Sequence, residues 1–202
     1  MPGSQAGPRA LLLELAGTAY LLLPLLGGAV AHGLCMKYGW VSWLKRPIDA
    51  GASWRGRPLF GASKTWRGPV MVAAGSAVIL GLQARVLHHV PSFAAIELFD
   101  YGRVRGVLLG AVIGAVAELA ELPNSLVKRR LGVAPGGTTR GPLAVVFFLW
   151  DQLDVLIGFW LACALLVEPT PLRVGFSALI ALSIHPLMTV TAYRLGMRAT
   201  PR

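Results

Sequence analysis

Residues 143–167 read LAVVFFLWDQLDVLIGFWLACALLV, an apolar run with Asp151 and Asp154 in its middle. A membrane-crossing helix needs about 20 mostly apolar residues, and this run supplies them. Similar runs lie near 10–33, 69–88, 104–121 and 172–192. Composition agrees: mean hydropathy is +0.63, 55% of residues are hydrophobic and only 14% are charged. A soluble domain carries about 25% charged residues. Disorder and an ordinary water-soluble globule are excluded. The expected fold is all-α, a single polytopic membrane domain over 1–202 with about five transmembrane helices.

The first run resembles a signal peptide, with Ala29-Val30-Ala31 placed like a cleavage site. It is too long for a typical h-region, and only Arg9 precedes it. Cleavage would also export the segment that follows, which holds Lys37, Lys45, Arg46, Arg55, Arg57, Lys64 and Arg67. Basic residues gather in cytoplasmic loops. An outside N-terminus and a cytoplasmic C-terminus place that segment inside, at about 35–68. Lys128, Arg129, Arg130 and Arg140 then lie in a second inner loop at about 122–142, and Arg194, Arg198 and Arg202 in the tail. The outer side keeps Arg9, Arg85, Arg103, Arg105 and Arg173.

The chain has 19 Lys and Arg against 9 Asp and Glu, a formal net charge of +10. In a soluble protein that excess suggests nucleic acid. Here it sets topology, and nucleic acid is not an expected partner. An anionic substrate, such as a nucleotide or a lipid phosphate, is a second use for the charge. Cys35 and Cys163 lie far apart and imply neither a metal site nor a disulfide framework. No internal repeat supports an inverted-repeat transporter.

Charges inside a span are costly and point to function. Asp151 and Asp154 are spaced i, i+3, so a helix puts them on one face. Such a pair needs a counter-charge. A divalent cation, Mg²⁺ by the oxygen ligands, would supply it, as would Lys or Arg from a neighbouring helix; spacing leaves both open. Glu118 and Glu121 form a second i, i+3 pair near the inner end of the third run. Glu118 reads as interfacial and wet, while Glu121 stands closer to Lys128-Arg129-Arg130. Glu14 has no evident partner in the sequence.

The inner loops mix bases with glycines and hydroxyls. Loop one holds Arg55, Arg57, Phe60-Gly61, Ser63-Lys64-Thr65-Trp66-Arg67-Gly68; loop two holds Ser125, Lys128-Arg129-Arg130, and Gly136-Gly137-Thr138-Thr139-Arg140-Gly141. Arg presents a planar fork to phosphate, Lys a point charge, and glycine lets backbone N–H groups approach an anion. Topology alone explains the bases but not the interleaving. Gly61-Ala62-Ser63-Lys64-Thr65 lacks P-loop spacing. Asp49-Ala50-Gly51 does not continue as the CDP-alcohol phosphotransferase pattern would.

Two blocks resemble the CDP-archaeol synthase family, relatives of the CDP-diacylglycerol synthases. The first is Pro47-Ile48-Asp49 followed by Arg57-x-x-Phe60-Gly61-x-x-Lys64-Thr65-Trp66-Arg67-Gly68. The second is Asn124-Ser125-Leu126-Val127-Lys128-Arg129-Arg130-Leu131-Gly132, then Asp151-Gln152-Leu153-Asp154. The resemblance spans about 45–160. Four places depart from it: Ala120-Glu121 where the family has Gly-Asp, Ala50 in its Asp-Gly-Gly, Ser63 before the lysine, and a longer stretch between Gly132 and Asp151.

The resemblance implies a membrane-embedded cytidylyltransferase of phospholipid biosynthesis, in the cell membrane with its site facing the cytoplasm. CTP and a lipid phosphate would give a CDP-lipid and pyrophosphate, with Mg²⁺. Under it, Asp151, Asp154 and Glu121 are metal ligands. Lys128, Arg129, Lys64 and Arg67 are catalytic cations; Asp49, Thr65, Ser125 and Arg130 bind substrate. A small-anion transporter and a non-catalytic scaffold are the alternatives. Gly110, Gly114 and Ala117 smooth one face of the third span, which reads as packing within one chain; the oligomeric state is not encoded legibly.

Overall fold

The computed structural model describes residues 7–135, 137, 141 and 143–194. Long helices dominate: α1 (Pro8–Tyr38), α2 (Arg67–Arg85), α4 (Gly106–Leu119), α5 (Glu121–Arg130), α6 (Leu143–Cys163) and α7 (Pro171–Arg194), with a single-turn α3 (Pro91–Ala94). Four spans are long and apolar enough to cross a membrane: Pro8–Tyr38, Arg67–His89, Gly106–Arg130 and Leu143–Cys163. The expected fifth, α7, carries a shorter apolar stretch, Pro171–Ile184.

Two strands interrupt the helical pattern. Ser53–Trp54 (β1) and Arg57–Pro58 (β2) pair antiparallel across Arg55-Gly56. Both turn residues have positive φ, 52° and 75°, the conformation that matches hairpin twist.

The loop expected over 122–142 begins as a helix. The third span runs from α4 into α5 with a break at Ala120. Pro123 explains the break: it has no N–H for the Leu119 carbonyl, and its ring crowds that oxygen. The chain restarts at Glu121 and continues helical to Arg130.

α2 packs most extensively on α4 and next on α1. Small residues permit the approach. A Cβ at Gly114 would fall 2.7 Å from the Val72 carbonyl oxygen and 2.7 Å from Ser76 Oγ. The smooth face of the third span is therefore buried within one chain, as expected.

Pro24 sits inside α1 and removes the donor that the Tyr20 carbonyl would otherwise receive. The fully buried Gln83 of α2 replaces it, its Nε2 donating to Tyr20 O at 2.8 Å. Ser76 Oγ likewise donates to Pro24 O at 2.8 Å. In an apolar layer the orphaned Tyr20 carbonyl has no water to turn to, so a polar side chain of α2 is placed where α1 is weakest.

Glu14 has a partner after all. Arg173 of α7 grips it with Nε at 3.0 Å and Nη2 at 3.1 Å. The two positions are 159 residues apart, which hides the pair from any local pattern. The main apolar core gathers Tyr20, Leu80, Tyr101, Ile113 and Phe159. It lies towards the end where α2 finishes and α4 begins; Lys64, Glu118, Glu121, Lys128, Asp151 and Asp154 gather at the other end.

Candidate functional site

The site is built on α5 and α6 with loop one laid over them. Glu121, Asn124 and Lys128 stand at i, i+3 and i+7 on α5, hence on one face. On α6, Asp151 and Asp154 share the face that meets them. Asn124 Nδ2 donates to Asp151 Oδ1 at 2.6 Å and to Asp154 Oδ2 at 2.9 Å. Lys128 Nζ pairs with Asp151 Oδ1 and lies 5.5 Å from the Phe147 ring centre. Asp154 is buried, 3% exposed, while Asp151 opens to the surface.

Lys64 of loop one pairs with Glu121. Burial alone would lower its pKa; Glu121 reverses that, with Glu118 and Asp154 adding to the pull, so the ammonium is held charged above its ordinary value. Glu118 is not a wet interfacial residue. Its side chain is 16% exposed, stands 4.0 Å from His32 Nδ1, and occupies the space a Cβ on Gly68 would need. Gly68 lies in the first turn of α2, where a carboxylate meets the positive end of the helix. Lysines and a helix end thus counter three of these carboxylates, the arrangement spacing had left open against a cation.

The other candidates divide. Asp49 organises loop one rather than reaching the ionic centre: Oδ1 accepts from Gly51 N at 3.0 Å, and Oδ2 from Phe60 N at 2.9 Å and Gly61 N at 3.1 Å. Burial raises its pKa, but these backbone donors outweigh it and hold the carboxyl below its ordinary value. Arg130 is committed to the hairpin, donating to the carbonyls of Trp54, Arg57 and Pro58 with its guanidinium 5.3 Å from the Trp54 ring centre. Arg57 returns the tie to Arg130 O. Arg129 is buried, with Nη1 on Val133 O and Nε without a partner. Ser125 is buried beside it on α5. Arg67 opens α2 with a buried, unpartnered Nε. Thr65 is half-buried and bridges to Pro47. Gly136, Thr138, Thr139 and Arg140, expected to cradle phosphate, lie outside the described residues.

Asn124 was missed as a site residue. Its signal was available, a buried-type amide at helical spacing from both Glu121 and Lys128. Its Oδ1 is buried and has no hydrogen-bond partner. Asp151 and Asp154 face Nδ2, so only with the amide turned over would this oxygen join their carboxylates as hard donors of the kind Mg²⁺ takes. Among the described residues, no three His, Cys, Asp or Glu side chains form a group able to hold a metal. Any ion here would therefore draw on the amide oxygen or on non-protein ligands.

Fold and site together define a polytopic membrane protein with an ionic centre at one end of its helices. The chain belongs to the CDP-archaeol synthase family, whose CarS-like model matches residues 14–201. The CDP-archaeol synthase of Pyrobaculum aerophilum is 30% identical over 173 residues, covering 85% of this chain and 91% of the relative. That of Halobacterium salinarum is 30% identical over 167 residues, covering 77% and 83%. A solved structure, described as an intramembrane enzyme for archaeal membrane lipid biosynthesis, superposes with a TM-score of 0.58 at 26% identity. It covers 82% of this chain and 88% of its own.

Proposed function

We infer that this chain transfers CMP from CTP to a lipid phosphate, releasing pyrophosphate and leaving a CDP-lipid in the membrane. One observation carries the reading to specific residues: Asn124 and Lys128 hold Asp151 and Asp154 together at the end of two spans, in a member of the CDP-archaeol synthase family.

The acceptor phosphate oxygen attacks the α-phosphorus of CTP in line. A new P–O bond forms as the bond to the bridging oxygen breaks, and pyrophosphate leaves with that electron pair. The acceptor is already ionised near neutral pH, so no side-chain nucleophile is needed. The barrier is electrostatic, since two anions must meet. Asp151 and Asp154 would hold Mg²⁺, joined by Asn124 Oδ1 once the amide turns over and by Glu121 once Lys64 leaves it. Mg²⁺ would neutralise phosphate charge and polarise the α-phosphorus.

Lys64 and Lys128 are paired with Glu121 and Asp151. Their partners keep them charged and aimed at the ionic centre. An arriving triphosphate offers them stronger acceptors, and the carboxylates are released for the cation. Arg67 and Arg129 each keep a buried guanidinium N–H unsatisfied, available to a phosphate oxygen. Asp49 and Arg130 act one step back, by fixing loop one and its hairpin.

The site faces the cytoplasm in this reading, where CTP is found; the basic loops on that side support it. The relatives' name points to an archaeol-type diether phosphate as acceptor.

Detergent-purified protein, given CTP, Mg²⁺ and a diether phosphate, phosphatidic acid or a polyprenyl phosphate, is expected to form a CDP-lipid. The preferred acceptor names the substrate. No product with any acceptor and no CTP binding would overturn the reading. Normal turnover in Asp151→Asn would overturn the metal assignment alone.

A further inference from the structure

At the opposite end of the bundle, α2, α4 and the segment between them line an open cavity of about 1010 Å³. It is separated from the ionic centre by the length of α2, 19 residues or roughly 28 Å at 1.5 Å per residue. The reaction proposed above does not use it.

Its polar rim is cationic. Arg85, His89, Arg103 and Arg105 line it, and Asp100 is the only carboxylate among the lining residues. Asp100 is already taken, by Arg103 Nε at 2.7 Å and by Gly102 N at 3.0 Å. The neighbouring Glu97 is taken by His88 Nδ1 at 2.9 Å. Among the described residues, the side chains of Arg85 and Arg105 have no ion-pair or hydrogen-bond partner. The positive end of α4 opens beside them, at Gly106.

Below the rim the walls turn apolar and face outward. Val107 and Leu108, in the first turn of α4, are 63% and 59% exposed. On α2, Arg85 of the rim is followed at i−3 and i−7 by Leu82 and Val78, which lie outside the cavity's lining and form one stripe down the span. Val78 is 68% exposed. A soluble anion would use the rim and leave these stripes uncovered. A lipid uses both: its phosphate meets the arginines at headgroup level, and its chains follow the stripes.

We propose that this cavity binds the phosphate of an anionic membrane lipid, at the membrane face opposite the ionic centre. Charge complementarity at the rim and the apolar stripes below it select that occupant. It is a second lipid, distinct from the acceptor, because the span of α2 lies between the two places. The binding does not depend on the reaction assigned to the ionic centre.

The test uses the full chain in neutral detergent, with bound lipid counted by native mass spectrometry and melting followed in parallel. Dioleoyl phosphatidylglycerol should bind wild type at least tenfold more tightly than it binds the Arg85→Gln/Arg105→Gln double variant. It should also raise the melting temperature of wild type and leave that of the Gln variant unchanged. Arg85→Lys/Arg105→Lys should restore binding, which separates lost charge from lost folding. Lys64→Met, at the far end, should bind as wild type does.

Equal binding by wild type and the Gln variant overturns the proposal. So does equal binding of dioleoyl phosphatidylcholine and phosphatidylglycerol by wild type. A melting shift of the same size from inorganic phosphate alone overturns it in favour of a soluble anion. Loss of binding in Lys64→Met would place the lipid in the ionic centre and equally overturn it.

Discussion

Asn124 Nδ2 stands 2.9 Å from Asp154 Oδ2 and reaches Asp151 with the same nitrogen. One amide therefore sets the separation of two intramembrane carboxylates on a different helix. Asn124→Leu should cut CDP-lipid formation at least 100-fold, about the cost of removing one preorganised polar group from a transition state. Asn124→Asp keeps an oxygen but loses the donor and adds a third like charge. Steady-state rates across a Mg²⁺ titration check the pair. If the amide only positions the aspartates, Asn124→Asp is as inactive as Asn124→Leu at every Mg²⁺ concentration. If its oxygen holds the cation, Asn124→Asp regains activity as Mg²⁺ rises.

Lys64 is poised by Glu121. Lys64→Met should raise the KM for CTP and lower kcat/KM by about 100-fold, with Lys64→Arg intermediate, because a fork cannot reproduce the reach of an ammonium. CTP binding measured by calorimetry should weaken in parallel. Unchanged CTP affinity would instead assign Lys64 to the lipid phosphate.

Gln83 supplies the donor that Pro24 denies to the Tyr20 carbonyl. Gln83→Leu leaves that carbonyl bare in an apolar layer and should cost about 1 kcal/mol. Thermal melting in detergent should fall while turnover per folded molecule is kept. Restoring the helix by Pro24→Ala in the same chain should recover most of the loss, since Tyr20 O regains a backbone donor.

Asp49 makes loop one sensitive to acid. Its carboxyl is held below the ordinary 3.8 by the N–H groups of Phe60, Gly51 and Gly61, against the opposing effect of burial. A depressed carboxylate stabilises the fold above its unfolded pKa and stops doing so as pH falls through its folded value. Hydrogen exchange over residues 49–61, corrected for intrinsic rates, should be flat from pH 7 to 5 and accelerate below about pH 4. Asp49→Asn should exchange faster at neutral pH and lose the pH dependence.

Arg130 closes the hairpin through three carbonyls. Arg130→Lys keeps the charge but not the fork, so proteolysis near Trp54 should speed up while CTP affinity changes little. A large loss of CTP affinity with the hairpin still protected would return Arg130 to the substrate contacts.

The sequence by itself determined what local periodicity and solvent preference can encode. Apolar runs about as long as a bilayer is thick required a polytopic helical protein, and the i, i+3 spacing of Asp151 and Asp154 placed both on one face. The two motif blocks pointed to the family. Tertiary structure alone decided the pairings. Glu14 meets Arg173 across 159 positions, Gln83 finds the carbonyl that Pro24 strands, and Lys64 crosses from loop one to Glu121. It also gave Asp49 and Arg130 their partners within loop one, and set Glu118 against the start of α2. The reason is physical: a helix face is fixed by residues three and four apart, whereas a buried charge or carbonyl takes its partner from whichever helix packs against it.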